Sequence, residues 1–452
     1  RDRSVSRGLG DVYKRQLFNT FTGNTFFLSY EALDSIKKND ISSLDCRSRD
    51  LFSRAGVIIE DTVDELRYFS YFNNRNKYFS EVLSSTIILT WSCNFSCVYC
   101  YEGAGEKNET MDHEHALQYI KFMKNEAKSR RSKSMYIVLF GGEPLVNIKE
   151  GLFILDELHS YCTQNSISFS CGIITNGTLL NNYVLQQLSK HNCNMVQITL
   201  DGMPEAHNSR RPYKNGNPSF NDVIDSIKKV LAYPKINAVI RINIDKTNIN
   251  DTDTLLKYLG KYGENLTCAS IDFGIVRSST SACSSYAGNC FADSEISDVL
   301  EHLWNELQVN GFACTPRPMQ RWMFCGLYSD SQFTVTPDCS VYKCWEHAGF
   351  EQHRVGTIDS EGNLINKTYA FYDWMTRDPL ENHECRECVY LPVCGGGCGS
   401  VSYNQSKTYH APGCFKTKGV VEKQILHFVN EKIKTNAVSY THLRAHETLS
   451  DL

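Results

Sequence analysis

CNFSCVYC, residues 93–100, holds three cysteines at intervals of four and three, with no fourth close enough on either side to complete a set. Soft metals held by thiolates normally take four protein ligands. The stretch follows TIILTW (86–91), a β-branched run with the length of a buried strand. Downstream, five more such runs recur: MYIVLFG (135–141), FSCGIIT (169–175), MVQITLD (195–201), AVIRINI (238–244) and SIDFGIV (270–276). Between them lie segments with helical spacing. Ala116, Ile120, Met123 and Ala127 form one stripe, and Leu180, Val184 and Leu188 another. Phe220, Val223, Ile224, Ile227, Val230 and Leu231 form the cleanest, and Ile296, Val299, Leu300, Leu303, Trp304 and Leu307 give a helix after the last strand. Six βα units in a row imply a parallel sheet with right-handed crossovers. The unit length suits an open, partial barrel and a flat doubly wound sheet alike.

In either architecture the reactive groups belong at the carboxyl ends of the strands. The cysteine triplet follows the first strand, GGEP (141–144) the second, TNG (175–177) the third and DG (201–202) the fourth. Four loops at one rim form a constellation, which no single tripeptide would.

The chain has 452 residues, 41% of them apolar, enough for more than one domain. A net charge of -4 without a basic block argues against a nucleic-acid partner. No run of 18 apolar residues and no apolar signal region occurs, so the expectation is a cytoplasmic protein without a membrane span. In a reducing compartment, clustered members of a set of 19 cysteines read as metal ligands rather than disulfides. The end segments 1–16 and 438–452 resemble translated adapter sequence and lack a helical or strand period, so they are set aside from the fold.

The triplet, with Tyr99 before its last cysteine, resembles the signature of the radical S-adenosylmethionine (SAM) superfamily, and residues 85–277 match that family's six-stranded partial barrel in order and spacing. The fold expected is therefore α/β: a partial (β/α)6 TIM-like barrel over 81–318, a small N-terminal α+β module over 17–80 and a cysteine-rich iron–sulfur domain over 319–418. A C-terminal helix over 419–437 follows. The resemblance implies that Cys93, Cys97 and Cys100 hold a 4Fe–4S cluster whose open iron is chelated by SAM itself. Tyr99 would lie along the adenine, and Gly141, Gly142 and Glu143 would receive the methionine ammonium. Thr199 and Arg211 would reach the ribose and the methionine carboxylate; the alternative for Arg211 is a solvated loop charge. A reduced cluster then cleaves the sulfonium, and the 5′-deoxyadenosyl radical removes a substrate hydrogen.

Further on the spacing is C325-x18-C344, then C385-x2-C388-x5-C394-x3-C398-x15-C414. This resembles the SPASM extension of peptide- and protein-modifying radical enzymes; a zinc ribbon is the plainer alternative. The resemblance assigns Cys385, Cys388, Cys394 and Cys414 to one auxiliary 4Fe–4S cluster. It assigns Cys325, Cys344 and Cys398 to the other, three clusters in all. Where the family pattern has glycine before S-V-Y-x-C, this chain has Cys339, and no cysteine stands six residues before Cys325. The fourth ligand there is Cys314, Cys339 or none.

The reading is thus an oxidoreductase that modifies a peptide or protein, forming a thioether or other cross-link in a ribosomal peptide, with a flavodoxin or ferredoxin as one-electron donor. The alternatives are an anaerobic sulfatase maturase and a non-catalytic iron–sulfur electron carrier. Sulfatase maturases carry an aspartate base directly after the cysteine equivalent to Cys344, where this chain has Trp345. In the N-terminal module, LFNTFTGNTFFLS reads as a hairpin turning at Thr-Gly-Asn, followed by two or three short helices. As a leader-peptide recognition module it would bind by strand addition beside Thr22, Phe26 and Phe27; as a simple cap it would cover the barrel. Cysteines 46, 162, 171, 193, 268, 283 and 290 show no spacing that suggests a site.

Overall fold

The computed structural model describes residues 4–8, 15–103, 107–314 and 316–435. It begins with a three-stranded antiparallel sheet of β1 (Ser4–Gly8), β2 (Arg15–Asn19) and β3 (Thr25–Leu28), followed by α1 (Tyr30–Lys37), α2 (Cys46–Arg54) and α3 (Glu65–Tyr78). The hairpin turns at Thr22–Asn24, where the Gly23 amide donates to Asn19 O at 2.8 Å and Gly23 takes a φ of 77°. Strand β1 lies within the adapter-like segment that had been set aside for want of a strand period. An outer strand pairs through its backbone and needs no side-chain alternation to do so. Residues 1–3, 9–14 and 436–452, the rest of the adapter-like ends included, lie outside the described residues.

The barrel follows as β4 (Val82–Thr90), α4 (His113–Arg130), β5 (Ser134–Gly141), α5 (Ile148–Gln164), β6 (Ser168–Thr175), α6 (Asn182–Lys190) and β7 (Cys193–Thr199). It continues through α7 (Pro204–Arg210), α8 (Phe220–Leu231), β8 (Asn237–Ile244), α9 (Ile249–Leu259), β9 (Ser270–Ile275) and α10 (Ile296–Val309). All six strands pair in parallel, as the alternation implied, and in sequence order, which is the order of a barrel and not of a doubly wound sheet. On β5, Met135, Ile137 and Leu139 are buried in the helix-facing core, while Tyr136, Val138 and Phe140 on the other face are half-buried. On β8 the same alternation turns Val239, Arg241 and Asn243 to the barrel lumen. A parallel strand covered equally on both faces reads as a continuous apolar run. The alternation therefore belongs to a barrel whose lumen is kept for polar chemistry.

The cysteine-rich region joins the barrel's sheet. Strands β10 (Gln332–Val335), β11 (Ser340–Tyr342), β12 (Gly356–Ile358) and β13 (Leu364–Ile365) extend it to ten strands, in the order β13-β12-β11-β10-β4-β5-β6-β7-β8-β9. Strand β10 pairs in parallel with β4, Gln332 opposite Ser84 and Val335 opposite Ile87. Phe333, Val335, Val341, Val355 and Ile358 enter the barrel's own core. Strands of two to four residues are too short to show a period, which is why this stretch looked structureless in sequence. The helices α11 (Tyr369–Thr376), α12 (His383–Arg386), α13 (Leu391–Cys394), α14 (Gly399–Ser406) and α15 (Val420–Thr435) complete the chain.

The N-terminal module packs on this C-terminal half. Phe72 stacks on Trp322 with centroids 4.7 Å apart, Asn73 Nδ2 donates to Trp322 O at 2.5 Å, and Phe18 joins Val421, Ile425 and Val429 of α15. Phe26 meets Phe52 edge-on inside the module and Phe27 packs toward α15, so what β3 leaves open is its backbone edge. Beside Cys344, His347 and His353 stack at 4.0 Å and share the Tyr409 hydroxyl, Oη to Nδ1 at 3.2 and 2.6 Å. One hydroxyl donates only once, so one imidazole donates to it in return. Burial pushes His347 down to about 3 and His353 down to about 4, keeping both neutral. No helix among the described residues is long and apolar enough to cross a membrane.

Phe333 is 2% exposed and meets Phe122 of α4 edge-on at 5.1 Å. Phe333→Ala should therefore cost about 3–5 kcal/mol in urea unfolding of the barrel; a loss confined to the cysteine-rich region would contradict the shared core. The histidine pair sets an acid response. Below pH ~6.5 the unfolded chain binds protons that the folded imidazoles refuse, so stability falls as pH drops toward 4, by up to about 1.4 kcal/mol per pH unit for each. His353→Leu should flatten that slope between pH 7 and pH 5.

Candidate functional site

The cysteine loop after β4 is clamped on both sides by backbone. From one side, Gly142 N donates to Thr90 O at 3.0 Å and Glu143 N to Ser92 O at 2.9 Å. A Cβ on Gly141 would lie 2.3 Å from Thr90 O, and one on Gly142 would lie 2.5 Å from Trp91 O. The two glycines thus allow the GGEP loop to approach the cysteine loop itself, which is a reason for them beyond any ligand. Gly141 also takes a φ of 136°, outside the usual range of other residues. From the opposite side, Ser96 N donates to Pro212 O at 2.9 Å and Val98 N to Arg210 O at 3.1 Å, and Phe95 bridges to Tyr213. Cys93 lies in electrostatic reach of both Cys97 and Cys100, and burial pushes Cys93 and Cys97 up to about 11. Loading a metal here must therefore displace thiol protons.

Glu143 ties the second and third loops together. Its side chain is fully buried; Oε1 accepts from Leu145 N at 3.0 Å and Thr175 Oγ1 at 2.6 Å, and Oε2 accepts from Asn176 N at 2.7 Å. Burial raises its pKa against those three hydrogen bonds. Asn176 Nδ2 donates in turn to Asn94 Oδ1 at 2.7 Å, inside the cysteine triplet. GGEP, TNG and the cysteine loop form one hydrogen-bonded unit.

The fourth loop supplies a buried ionic cluster. Tyr99 Oη donates to Asp201 Oδ2, and accepts from Arg211 Nη1 at 2.7 Å and Asn243 Nδ2 at 3.1 Å. The Arg210 guanidinium lies 4.9 Å from the Tyr99 ring centroid and pairs with Asp245 at 2.8 Å. Asp201 N donates to His207 Nδ1 at 3.2 Å, and His207 Nε2 meets Ser219 Oγ at 3.1 Å. Burial and the two arginines hold His207 well below its ordinary value, so it is neutral. Arg211 is 9% exposed, which rules out the solvated-charge alternative, and its Nε has no partner among the described residues. Thr199 is buried at the end of β7, opposite Arg241. Asn94, Asp245, His207, Arg210 and Asn243 escaped the reading of the sequence. Asn243 had left a signal: Arg241 and Asn243 interrupt the apolar run AVIRINI at alternate positions, the mark of a lumen-facing edge.

The second cysteine field divides into two sets. Cys344 lies in electrostatic reach of Cys325 and Cys398, while Cys385, Cys388, Cys394 and Cys414 line one small pocket. Cys339 stands elsewhere. It turns toward α4, its Sγ donating to His115 O at 3.3 Å, and does not join the set of Cys344. Its φ is 60°, the left-handed region where glycine costs least, so the residue departs from the family pattern at a turn built for glycine. Cys314 lines a cleft shared with Cys394 and Cys398. Among the unassigned cysteines, 162, 171, 193 and 283 are buried and 46 and 268 exposed.

Tyr101, one residue past the triplet, lies in electrostatic reach of Glu102, Glu346, Cys100 and Cys344. Thr280 Oγ1 donates to Tyr101 O at 2.8 Å, and Arg277 of the same loop pairs with Glu346 at 2.7 Å.

Residues 87–259 match the model of the Radical SAM superfamily. An uncharacterized protein of Methanocaldococcus jannaschii is 30% identical over 182 residues, 39% of this chain and 57% of that one, so this chain spans little more than half of that relative's length. The radical SAM cyclopropyl synthase TigE of Paramaledivibacter caminithermalis is 23% identical over 378 residues, covering 77% of this chain and 75% of TigE. Among solved structures, native anSMEcpe with bound AdoMet and Cp18Cys peptide superposes with a TM-score of 0.56 at 19% identity, covering 80% of this chain and 98% of that one. That likeness shows a shared fold.

Gly142→Ala should displace the cysteine loop, cost about 1–3 kcal/mol by overpacking, and remove one cluster's iron per chain after anaerobic reconstitution while the downstream iron stays. Full iron loading with unchanged melting would show that the loop does not depend on this contact.

Proposed function

We propose that the chain, whose residues 87–259 match the Radical SAM superfamily, is an enzyme of that kind and modifies a residue of a peptide or protein, forming a thioether or another cross-link in a ribosomal peptide. The observation that supports this reading is that Tyr101, one residue past Cys100, lies in electrostatic reach of Cys344, which in turn lies in reach of Cys325 and Cys398. A substrate bound beside Tyr101 would meet both sets.

The residues present suit the cofactors that such a domain binds, one 4Fe–4S cluster and SAM. Cys93, Cys97 and Cys100 would hold the cluster. Arg211, with its unpartnered Nε, suits the methionine carboxylate, and Glu143, with one donor on Oε2, suits the ammonium. Tyr99 would border the adenine and Thr199 the ribose. When bound, these groups supply a primary carbon radical that takes a hydrogen atom from the substrate. The buried cluster of Tyr99, Asp201, Arg210 and Arg211 holds the rim rigid and excludes water.

Cross-linking removes two hydrogens and two electrons from the peptide. One hydrogen atom would leave by abstraction; clusters held by the auxiliary cysteine sets could take up the second electron, its proton passing to solvent. With Cys339 turned toward α4, the fourth ligand beside Cys325, Cys344 and Cys398 would be Cys314 or, with no fourth cysteine, a substrate thiol. A flavodoxin or ferredoxin would supply the electron that starts each turnover. The sulfatase-maturase alternative is disfavoured by the carboxylate nearest Cys344. Trp345 replaces the aspartate, and Glu346 is held by Arg277 at 2.7 Å and Ser400 at 2.5 Å instead of standing free as a base. A non-catalytic electron carrier would have no use for the GGEP, TNG and Asp201 rim.

The test is mass spectrometry of a short cysteine-rich peptide encoded beside this gene, co-expressed anaerobically with the enzyme. A loss of two hydrogens per modified site is expected, with that cysteine resistant to alkylation. Replacing Cys93, Cys97 and Cys100 by alanine should abolish the change while leaving auxiliary iron bound; modification by that triple variant would sink the assignment.

A further inference from the structure

The ten-stranded sheet ends at β9, and among the described residues no strand lies beside its outer side. A cleft of about 560 Å³ runs along it, bounded by α10, residues 313–314 and 316–324 and the start of α15, and Cys394 and Cys398 are among its lining. Trp304, Phe324 and Phe415 give its walls an apolar part. Its rim is basic. Arg317 and Arg321 are exposed, each lies against an aromatic ring, at 5.0 Å from Phe428 and 6.0 Å from Phe324, and neither meets a carboxylate among the described residues. Lys416 donates to Phe273 O of β9 at 2.9 Å, which shows that the edge's carbonyls are within reach of a donor inside the cleft. The acidic residue there, Asp272, is already paired with Arg241, and Arg277 with Glu346. The surplus charge is therefore positive.

We propose that an acidic, extended stretch of the peptide substrate docks along the β9 edge in this cleft, its carboxylates on Arg317 and Arg321. The proposal rests on the reading that the substrate is a peptide, and adds where it is gripped and by what chemistry. An open strand edge recognises an extended chain through main-chain hydrogen bonds, with alternate side chains falling into the walls. The volume lies within the ~300–1,000 Å³ of sites that enclose a small ligand or a few residues. A folded acidic protein would need about 800 Å² of accessible surface on each partner, which a concave slot of this kind does not offer. The grip would hold the peptide beside both auxiliary sets, so the residue that loses electrons stays close to where they are taken up.

The experiment uses the full chain, reconstituted anaerobically, and two fluorescein-labelled decapeptides, one alternating valine with aspartate and glutamate, the other valine with lysine. The acidic probe should bind the wild type and the lysine probe should not. The double variant Arg317→Glu, Arg321→Glu should weaken the acidic probe at least tenfold and gain affinity for the lysine probe, with iron content and melting unchanged because both side chains are exposed. Binding of the acidic probe should slow hydrogen exchange across residues 270–277. Acidic-probe affinity untouched by the charge reversal, or exchange at 270–277 unaltered by bound probe, would overturn the proposal, as would absence of binding to the wild type. Variant-sensitive reduction by a flavodoxin without exchange protection would also overturn it, assigning the rim to a folded carrier. The mass change of the co-expressed peptide reports separately on whether a peptide is the substrate at all.

Discussion

Backbone contact without side chains between Gly141–Gly142 and Thr90–Ser92 is the constraint on which the site depends. At that crossing the GGEP loop and the cysteine loop hydrogen-bond with no room for a Cβ. The contact fixes the height of the triplet above the barrel, and it lets Glu143 reach past it to Thr175 and Asn176. Three loops from three strands are thereby set by one close approach. Such a rim positions thiols more firmly than a free loop would, because each segment is held from two sides.

The buried charges of the rim are costly on their own terms. Placing Arg210, Arg211, Asp201 and Asp245 out of water incurs a desolvation penalty that pairing only partly offsets. They are held by mutual geometry: Arg210 on Asp245, Asp201 on Tyr99 and Asn243, and Arg211 on Tyr99. The Nε atoms of Arg210 and Arg211 make no hydrogen bond among the described residues.

The same sheet carries both cysteine fields. Strand β10 lies beside β4, so the first strand of the barrel carries the Cys93, Cys97 and Cys100 triplet at its end and the cysteine-rich region at its side. This brings Cys344 within reach of Tyr101 without a long linker, and the loop from Arg277 to Thr280 closes the gap from the β9 side. The N-terminal module, distant in sequence, stacks Phe72 on Trp322 and buttresses the same region from outside.

Much of this was legible along the chain. The six barrel strands, the helix of Phe220 to Leu231 and the rim tripeptides could be read because each is a local pattern: a period of two, a period near 3.6, or a spacing between neighbours. Helices α5 and α9 left weaker marks. The Thr- and Asp-rich start of α9 buries Thr252 where an apolar residue would have announced a stripe. Strand β10 escaped because four residues carry no period, and Asn94 and Asp245 because their partners lie far away in sequence. The sequence alone determined the six parallel strands, the tripeptides at their carboxyl ends and the two cysteine spacings, since these depend on neighbours along the chain. Only the tertiary structure decided that Cys339 leaves the set of Cys344, that the cysteine-rich region shares the barrel's core, and that a basic cleft opens at β9. Those depend on which surfaces meet in space, and packing sets that through contacts hundreds of residues apart.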